Sequence, residues 1–313
     1  MEKGKVLFID TTHPILPKLL ENGGFEIHHF YDNDIDKLRA IASEFTGFII
    51  RSKFLMEEEL LKHASQLKFI GRVGAGMENI DIAYTESHGI KCFNAPEGNR
   101  DAVAEHAIGM LLSLFNNLNR ADSEVRKGIW NREKNRGVEL GGKTVGIIGY
   151  GNTGSAFARK LKGFNVEVIA YDKYKSDFSS EFVSEVSFEE LSQRADIISL
   201  HIPLTTETRF MVNNNFFSSI KNNIYLINTS RGKIVKTSDL IDNLEKGKVI
   251  GACLDVLEFE GLSFENIENE NLAIEFRLLM EKENVILSPH IAGWTYESNI
   301  KLSEVLAKKI LSL

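Results

Sequence analysis

A glycine-rich turn near the middle of the chain places the strongest constraint on its fold. Residues 143–154 read KTVGIIGYGNTG, and the β-branched run TVGII predicts a buried parallel strand. Three glycines follow it with the spacing G-x-G-x-x-G: Gly149, Gly151 and Gly154. This spacing suits a tight turn, close approach of the backbone to a pyrophosphate, and close helix–strand packing. The pattern therefore predicts a strand–turn–helix unit that binds a dinucleotide.

The flanking residues indicate which dinucleotide is bound. A helix that begins near Asn152 would direct backbone N–H groups and its positive dipole end at the phosphates. Asp172 ends the next apolar run, VEVIAYD, where a carboxylate can accept hydrogen bonds from the adenosine ribose. An acid at this position would repel a 2′-phosphate, so the sequence favours NAD over NADP as the cofactor.

Composition limits the class of protein. A chain of 313 residues suggests two domains, and 43% hydrophobic with 26% charged residues is usual for a soluble globular protein. The net charge of −7 argues against nucleic acid as the main partner. We find no membrane-length apolar run, no signal-peptide pattern and no metal-binding cluster, and the two cysteines are too few for a disulfide framework. We therefore expect a cytoplasmic protein without a bound metal.

Strand and helix patterns alternate along the chain. The apolar runs before residue 99 are KVLFID, FEIHHF, GFIIR, LKFIGRV and IKCFN; those after Lys143 are TVGIIG, VEVIAYD, ADIISLHIP, NIYLINTS, VIGACLDV and NVILSPH. Alternation of this kind predicts an α/β protein with two Rossmann-like, doubly wound parallel-sheet domains. We expect a flavodoxin-like substrate domain over residues 1–98 plus 291–313 and an NAD-binding domain over residues 99–290. The first domain would be discontinuous, and the active site would lie in a cleft between the domains.

Three residue types that suit hydride-transfer chemistry follow strands of the second domain. Arg231 follows NIYLINTS, Glu260 lies shortly after VIGACLDV, and His290 ends NVILSPH. Oxidation of a 2-hydroxy acid needs a base for the hydroxyl proton, a carboxylate to orient the imidazole, and a cation for the substrate oxygens. Taken singly, each could be a solvated loop residue. Their joint position at strand ends beside a nucleotide motif favours a catalytic set.

Further motifs in the same order make the chain similar to the D-isomer-specific 2-hydroxyacid dehydrogenases. The matching segments span nearly the whole chain and include FIGRVGAGMENID, NAPEGNRDAVAEHAIGMLL, HIPLTTET, NTSRGKIV and SPHIAGWT. Within that family the resemblance is greatest to enzymes that oxidise D-3-phosphoglycerate. It implies NAD-dependent formation of 3-phosphohydroxypyruvate, the entry to serine synthesis.

The resemblance implies roles for individual residues. His290 would be the acid/base, Glu260 its partner and Arg231 the substrate-orienting cation. Besides the three glycines, the resemblance implies cofactor contacts from Asn152 and Thr153 at the pyrophosphate and from Asp172, Ile202 and Pro203 at the adenosine. At the other end of the cofactor, Thr229 and Ser230 would lie along the nicotinamide ribose and Asp255 at the nicotinamide end. Further implied cofactor contacts are Arg231, His290 and Gly293.

Substrate contacts are implied for a glycine-rich loop and for three arginines. The loop, whose backbone N–H groups would meet the substrate carboxylate, comprises Val73, Gly74, Ala75 and Gly76. Arg51 and Arg72 end two strands, and Arg132 lies in a segment that resembles the family's subunit-contact arm, so we expect a homodimer through residues 99–140. Three arginines suit a phosphorylated acid. The alternatives are a structural turn for the loop, a solvated Arg132 and a salt-bridged Arg72.

The chain departs from the family after the proposed catalytic Glu. Gly261 follows Glu260, the usual proline is absent, and the connection to Asn284 is long, which leaves Glu258 and Glu265 as alternatives. Residues 272–281 favour an additional helix there. Because the chain ends after one last helical pattern, we expect no appended regulatory domain.

Two other functions remain open at this point. A hydroxypyruvate or glyoxylate reductase would use the same catalytic residues on an unphosphorylated acid. An NAD-sensing binding protein of the corepressor kind could retain them without appreciable turnover.

Overall fold

Two parallel sheets organise the chain in this computed structural model, which describes residues 4–261 and 273–313. The strands are β1 Lys5–Phe8, β2 Glu26–His29, β3 Gly47–Ile50, β4 Phe69–Arg72, β5 Lys91–Phe93, β6 Thr144–Ile148, β7 Glu167–Tyr171, β8 Ser184–Glu185, β9 Ile197–Leu200, β10 Ile224–Asn228, β11 Val249–Leu254 and β12 Val285–Leu287. The helices are α1 Ile15–Asn22, α2 Ile35–Ile41, α3 Glu58–Leu61, α4 Ile82–Ser87, α5 Pro96–Phe115, α6 Leu118–Arg126, α7 Asn152–Lys160, α8 Phe188–Arg194, α9 Asn214–Ser219, α10 Thr237–Glu245, α11 Ile274–Met280 and α12 Tyr296–Leu311. The chain divides into one unit of residues 1–100 with 294–313 and a second of residues 101–293.

The first unit contains a five-stranded sheet in the order β2-β1-β3-β4-β5. Alternate residues of its central strands face opposite sides, so that Phe48 and Ile49 enter different apolar clusters. The last helix, α12, covers one of these sides with Leu302, Leu306 and Ile310, which are at most 6% exposed. The C-terminal residues are therefore part of the core of the first unit.

The second unit contains a seven-stranded sheet in the order β12-β11-β10-β9-β6-β7-β8. Strand order reverses between β6 and β9, because the chain adds β7 and β8 on one side and then β9 to β12 on the other. Open α/β sheets bind ligands at the carboxyl ends of strands beside such a reversal. All strand pairs of both sheets among the described residues are parallel, which confirms the predicted fold class.

The structure differs from the sequence-based expectations in local detail. Between β5 and β6 the chain forms two helices, α5 and α6, which are separated because Asn117 adopts the left-handed region with φ of +53°. The Phe115 carbonyl oxygen instead accepts a hydrogen bond from the Val138 N–H at 2.9 Å. Strand β8 has two polar residues and so gave no apolar signal. No helix among the described residues is long and apolar enough to cross a membrane.

Candidate active site

The glycine turn after β6 has close contacts that only glycine allows. Gly149 has a φ of +93°, and a Cβ there would lie 2.4 Å from the His201 carbonyl oxygen. A Cβ on Gly154 would lie 2.0 Å from the Gly149 carbonyl oxygen. By contrast, a Cβ on Gly151 would meet no described atom within 4 Å, so the space at the start of α7 is open. The three glycines thus allow a tight turn, close helix–strand packing and close approach of a pyrophosphate to the backbone, as in a dinucleotide-binding loop.

Helix α7 begins beside this open space. Gly151 is its N-cap and supplies no side-chain hydrogen bond, while Asn152 and Thr153 form the first turn. The first N–H groups of a helix lack intrahelical acceptors and favour an anion. The start of α7 therefore fits a pyrophosphate group.

Asp172 joins the glycine turn to the turn that follows β7. Its Oδ2 accepts the Tyr150 N–H at 2.7 Å, and its Oδ1 accepts the N–H groups of Tyr174 and Lys175 at 2.9 and 3.1 Å. A carboxylate has about four acceptor positions, so these contacts leave capacity for a ribose hydroxyl. The acids of the adjoining groove would repel a 2′-phosphate; besides Asp172 they are Asp177, Glu185 and Glu190.

Ile202 and Pro203 follow β9 and lie beside the glycine turn. A Cβ on Gly149 would come within 2.7 Å of the Ile202 side chain, and the Pro203 carbonyl oxygen accepts the Thr208 hydroxyl at 2.7 Å. The preceding residue, His201, bonds Ser199 Oγ through Nε2 at 2.8 Å, and desolvation lowers the pKa of its imidazole to about 3. Its ring is therefore neutral at pH 7 and serves packing, not proton transfer.

The loop after β10 holds the predicted cation. Asn228 fixes the loop by accepting the Ser230 N–H at 3.1 Å and by donating to the Arg231 carbonyl oxygen at 3.0 Å. The Arg231 guanidinium donates through Nη1 to the Ser230 carbonyl oxygen at 2.7 Å. The shielded hydroxyl of Thr229 has no hydrogen-bond partner among the described residues. Such a group is costly unless a ligand satisfies it, and a cofactor ribose hydroxyl is a suitable partner.

His290 and Glu260 form a hydrogen-bonded pair. The His290 Nδ1 and Glu260 Oε2 atoms are 2.9 Å apart, with side chains that are 22% and 15% exposed. The other carboxylate oxygen of Glu260 accepts the Leu257 N–H at 2.5 Å, which orients the carboxylate. Since Nδ1 is engaged, Nε2 is the ring atom that can exchange a proton with a substrate.

The alternatives to Glu260 are placed differently. Glu258 accepts the Thr237 N–H at 2.9 Å and thereby stabilises the start of α10. Glu265 lies outside the described residues, as does Leu272 at the start of the expected additional helix, of which Ile274–Met280 is helical. Of the two alternatives and Glu260, Glu260 is the acid shown to contact the His290 ring.

Asp255 is 1% exposed and binds the segment that carries His290. Its Oδ1 accepts the Ser288 hydroxyl at 2.6 Å and the Ile291 N–H at 2.9 Å, and its Oδ2 accepts the Ala292 N–H at 2.8 Å. The carboxylate predicted to meet the nicotinamide thus makes these three hydrogen bonds with the segment that follows β12. Gly293, also a predicted cofactor contact, ends this loop and is the last residue of the second unit.

The predicted substrate residues of the first unit lie together at the ends of β3 and β4. Arg72 donates through Nε to the Arg51 carbonyl oxygen at 3.3 Å, and the Arg51 guanidinium lies 4.2 Å from the centroid of the Trp294 ring. Of the loop that follows, the Val73 and Gly74 N–H groups donate to the carbonyl oxygens of Ile50 and Arg72. Ala75 is fixed through its own carbonyl oxygen, which accepts Asn94 Nδ2 at 2.6 Å, and Gly76 follows it.

Arg132 lies in the second unit and is exposed. Its segment is attached to α6 through Arg120, which donates to Asn135 Oδ1 at 2.9 Å. Nearby apolar side chains are also exposed: Leu118, Val125, Ile129 and Trp130. Among the described residues, no group of three or more His, Cys, Asp or Glu could hold a metal ion.

Sequence reasoning missed two polar groups next to this site. His106 Nε2 lies 2.9 Å from the Ser288 hydroxyl, which in turn contacts Asp255. The signals were present but weak, since His106 is a polar residue within an apolar helix pattern and Ser288 lies two residues before His290. A further missed contact is Trp294, which stacks on Arg51.

Comparison with known proteins shows similarity of the chain to one enzyme family. The family model for the NAD-binding domain of D-isomer specific 2-hydroxyacid dehydrogenases matches residues 108–292. D-3-phosphoglycerate dehydrogenase of Archaeoglobus fulgidus is 33% identical over 296 residues, which cover 94% of this chain and 54% of that protein. The chain spans about half the length of the first curated relatives that it matches.

Two further relatives match over most of both chains. Hydroxypyruvate reductase of Thermotoga maritima is 33% identical over 277 residues, covering 88% of this chain and 87% of that protein. The crystal structure of D-lactate dehydrogenase from Aquifex aeolicus, complexed with NAD and lactic acid, superposes with a TM-score of 0.81 at 29% identity and covers 98% of this chain and 94% of that one.

The open space beside Gly151 generates a test of cofactor binding. We expect Gly151→Ala to weaken NADH binding by about 10-fold or more, about 1.4 kcal/mol, because the added methyl group would occupy the space into which the pyrophosphate must come. NADH fluorescence titration measures the affinity, and a thermal melt measures stability. Gly163→Ala is the matched control, since its Cβ would also meet no described atom within 4 Å. Equal affinities in the two variants would place the pyrophosphate elsewhere.

Proposed function

Because the chain belongs to the D-isomer specific 2-hydroxyacid dehydrogenases, we propose that it oxidises a D-2-hydroxy acid with NAD, using His290, Glu260 and Arg231. The observation that carries the proposal is the 2.9 Å contact between His290 Nδ1 and Glu260 Oε2. This pair orients an imidazole at the carboxyl edge of the sheet that also carries the glycine turn. Open sheets bind their ligands at this edge.

The proposed reaction uses each side chain at a stated atom. His290 Nε2 accepts the proton of the substrate C2 hydroxyl, while the hydrogen on C2 departs as hydride. Bound NAD supplies the hydride acceptor. The Glu260 carboxylate stabilises the imidazolium that results, and the Arg231 guanidinium stabilises the substrate oxygens. In the reverse direction the imidazolium returns its proton to the carbonyl oxygen of a 2-keto acid.

Three resolved features agree with NAD as the cofactor. The space at Gly151 admits a pyrophosphate, the Thr229 hydroxyl lacks a described partner, and the groove at Asp172 is acidic. None of the three depends on the identity of the acid that is oxidised. The cofactor and the substrate are therefore separate questions, to be tested separately.

For the substrate we propose D-3-phosphoglycerate, converted to 3-phosphohydroxypyruvate at the start of serine synthesis. Arg51 and Arg72 support this choice, because they lie at the ends of the paired strands β3 and β4 and guanidinium groups suit a phosphate. Stacking on Trp294 orients the Arg51 guanidinium, which lowers the entropy lost on binding. Since the Val73 and Gly74 N–H groups are already bonded, Ala75 and Gly76 would donate to the substrate carboxylate.

The second candidate is reduction of hydroxypyruvate. It is supported by the Thermotoga maritima hydroxypyruvate reductase, of which the match covers 87%, whereas the phosphoglycerate dehydrogenase of Archaeoglobus fulgidus is covered over 54%. The catalytic residues would be the same, and the direction and the phosphate would differ.

The catalytic pair generates a prediction with an internal control. Glu260→Gln is expected to lower kcat by about 10- to 100-fold, since the amide cannot stabilise the imidazolium as the carboxylate does. Glu258→Gln, at an acid of the same segment that caps α10, should leave kcat within about 2-fold. Steady-state kinetics at saturating NAD make the comparison. A greater loss in Glu258→Gln than in Glu260→Gln would refute the assignment.

The arginines generate a prediction about the substrate. Arg51→Gln and Arg72→Gln should each lower kcat/KM for D-3-phosphoglycerate by about 10-fold or more, but that for D-glycerate by less than about 3-fold, because only the first carries a phosphate. Arg39→Gln, at a partly buried arginine paired with Asp36 in the same unit, is the control. A wild-type preference for hydroxypyruvate, with parallel losses on both acids, would favour the reductase instead.

We also propose a homodimer formed through residues 99–140, in which Trp130 is 78% exposed and Val125 is 52% exposed. Such a cluster of exposed apolar side chains is typical of an interaction surface. Arg132 lies two residues from Trp130, and in the dimer it would reach the substrate site of the partner subunit.

The homodimer is tested by Trp130→Glu, which should convert the protein from dimer to monomer in sedimentation velocity at micromolar concentration, because a buried unpaired carboxylate is costly. Tyr296→Glu, at an aromatic side chain that is 93% exposed in the other unit, should leave the dimer intact. A monomeric wild type at that concentration would contradict the proposal.

A further inference from the structure

His290 has an uncommon backbone conformation for a residue other than glycine. Its φ of +54° lies in the left-handed region, which few residues other than glycine adopt, although asparagine, aspartate and histidine do so more often than the rest. The neighbouring contacts must therefore maintain this conformation, and with it the direction of the imidazole toward Glu260.

One residue makes most of these contacts. The His290 N–H donates to the Asp255 carbonyl oxygen at 2.7 Å, and the next two N–H groups, of Ile291 and Ala292, donate to the two oxygens of the Asp255 carboxylate. Three consecutive N–H groups thus bind to Asp255. The orientation of its carboxylate decides whether the loop can hold His290 in place.

The carboxylate of Asp255 is itself oriented by a chain of hydrogen bonds. A 2.6 Å separation from Ser288 Oγ identifies the hydroxyl as the donor to Asp255 Oδ1, because a carboxylate can only accept. The single proton of the hydroxyl is then used, so Ser288 Oγ must accept from His106 Nε2 at 2.9 Å. His106 Nε2 is also 3.6 Å from Asp255 Oδ1. The order is His106 N–H to Ser288 O–H to Asp255.

We propose that His106 is a positioning residue for the reaction. Through Ser288 it fixes the Asp255 carboxylate, which holds the 290–292 backbone in the conformation that directs His290 at Glu260. In this proposal His106 does not contact the substrate. Only the kinetic part of the test rests on the proposed function. All of these residues belong to the second unit.

The test compares two replacements of His106 with different hydrogen-bonding capacity. Gln can place an amide N–H near the position of His106 Nε2, whereas Leu fills similar space without a donor. We expect His106→Leu to lower kcat by about 10-fold or more with KM for NAD changed by less than about 3-fold, and His106→Gln to recover most of the loss. Ser288→Ala, which removes the link without altering α5, should resemble His106→Leu.

A spectroscopic readout separates this inference from the proposed function. In ¹⁵N-histidine-labelled protein, the Nδ1–H signal of His290, assigned by its loss in His290→Gln, reports the bond to Glu260 without any substrate. It should shift or broaden in His106→Leu and Ser288→Ala, and remain near its wild-type position in His106→Gln. An unchanged His290 signal in both His106→Leu and Ser288→Ala would overturn the inference. So would an equal loss of kcat in His106→Gln and His106→Leu. If no 2-hydroxy acid is turned over by the wild type, the proposed function fails and the NMR comparison still decides the positioning role.

Discussion

The hydrogen bonds of Asp255 are the interaction on which the geometry of the candidate active site depends. Its own N–H donates to the Asn228 carbonyl oxygen at 3.0 Å, at the start of the loop that carries Arg231, while its carbonyl and carboxylate bind the loop that carries His290. A carboxylate that is 1% exposed would be costly without such partners. The bonds stabilise the buried charge and offset the strain of about 1 kcal/mol at His290. Replacing the Asp255 side chain would therefore displace the loop that carries His290, whereas the backbone contact with Asn228 would remain.

Close backbone contacts at glycine add a second constraint. A Cβ on Gly232 would lie 1.9 Å from the Leu257 carbonyl oxygen, so the Arg231 loop packs directly on the segment that carries Glu260. The same principle operates at Gly149, which packs against the His201 carbonyl oxygen. Glycine thus brings neighbouring loops to within backbone contact at two places along the same sheet edge. Because these contacts involve backbone atoms, side-chain rearrangement cannot relieve a substitution at either glycine.

The local sequence pattern was sufficient to predict the fold, but it was not sufficient to predict the whole candidate site. The strand alternation predicted both parallel sheets, because buried parallel strands are continuous apolar runs and helices must connect them. It missed β8, which is polar, and the helix break at Asn117, which depends on a left-handed residue that no periodicity reveals. The choice among the acidic residues was open because sequence spacing cannot show which carboxylate reaches an imidazole. The bond between His106 and Ser288 joins residues 182 positions apart, a contact that exists only once the sheet has formed.

In the proposed function, the reaction and the choice of substrate depend on different parts of the chain. Arg231, Glu260 and His290 all lie in the second unit, and their chemistry requires only a hydroxyl or carbonyl group next to a carboxylate. Arg51, Arg72 and the loop at residues 73–76 lie in the first unit, and they are the groups that would recognise the remainder of the acid. Selection can change one set without changing the other, so relatives that share the reaction can differ in substrate. The D-3-phosphoglycerate dehydrogenase and the hydroxypyruvate reductase are each 33% identical to this chain, and overall identity therefore does not discriminate between their substrates. What would discriminate is whether Arg51 and Arg72 bind a phosphate, because a guanidinium group matches the geometry of a phosphate and an unphosphorylated acid offers no such group.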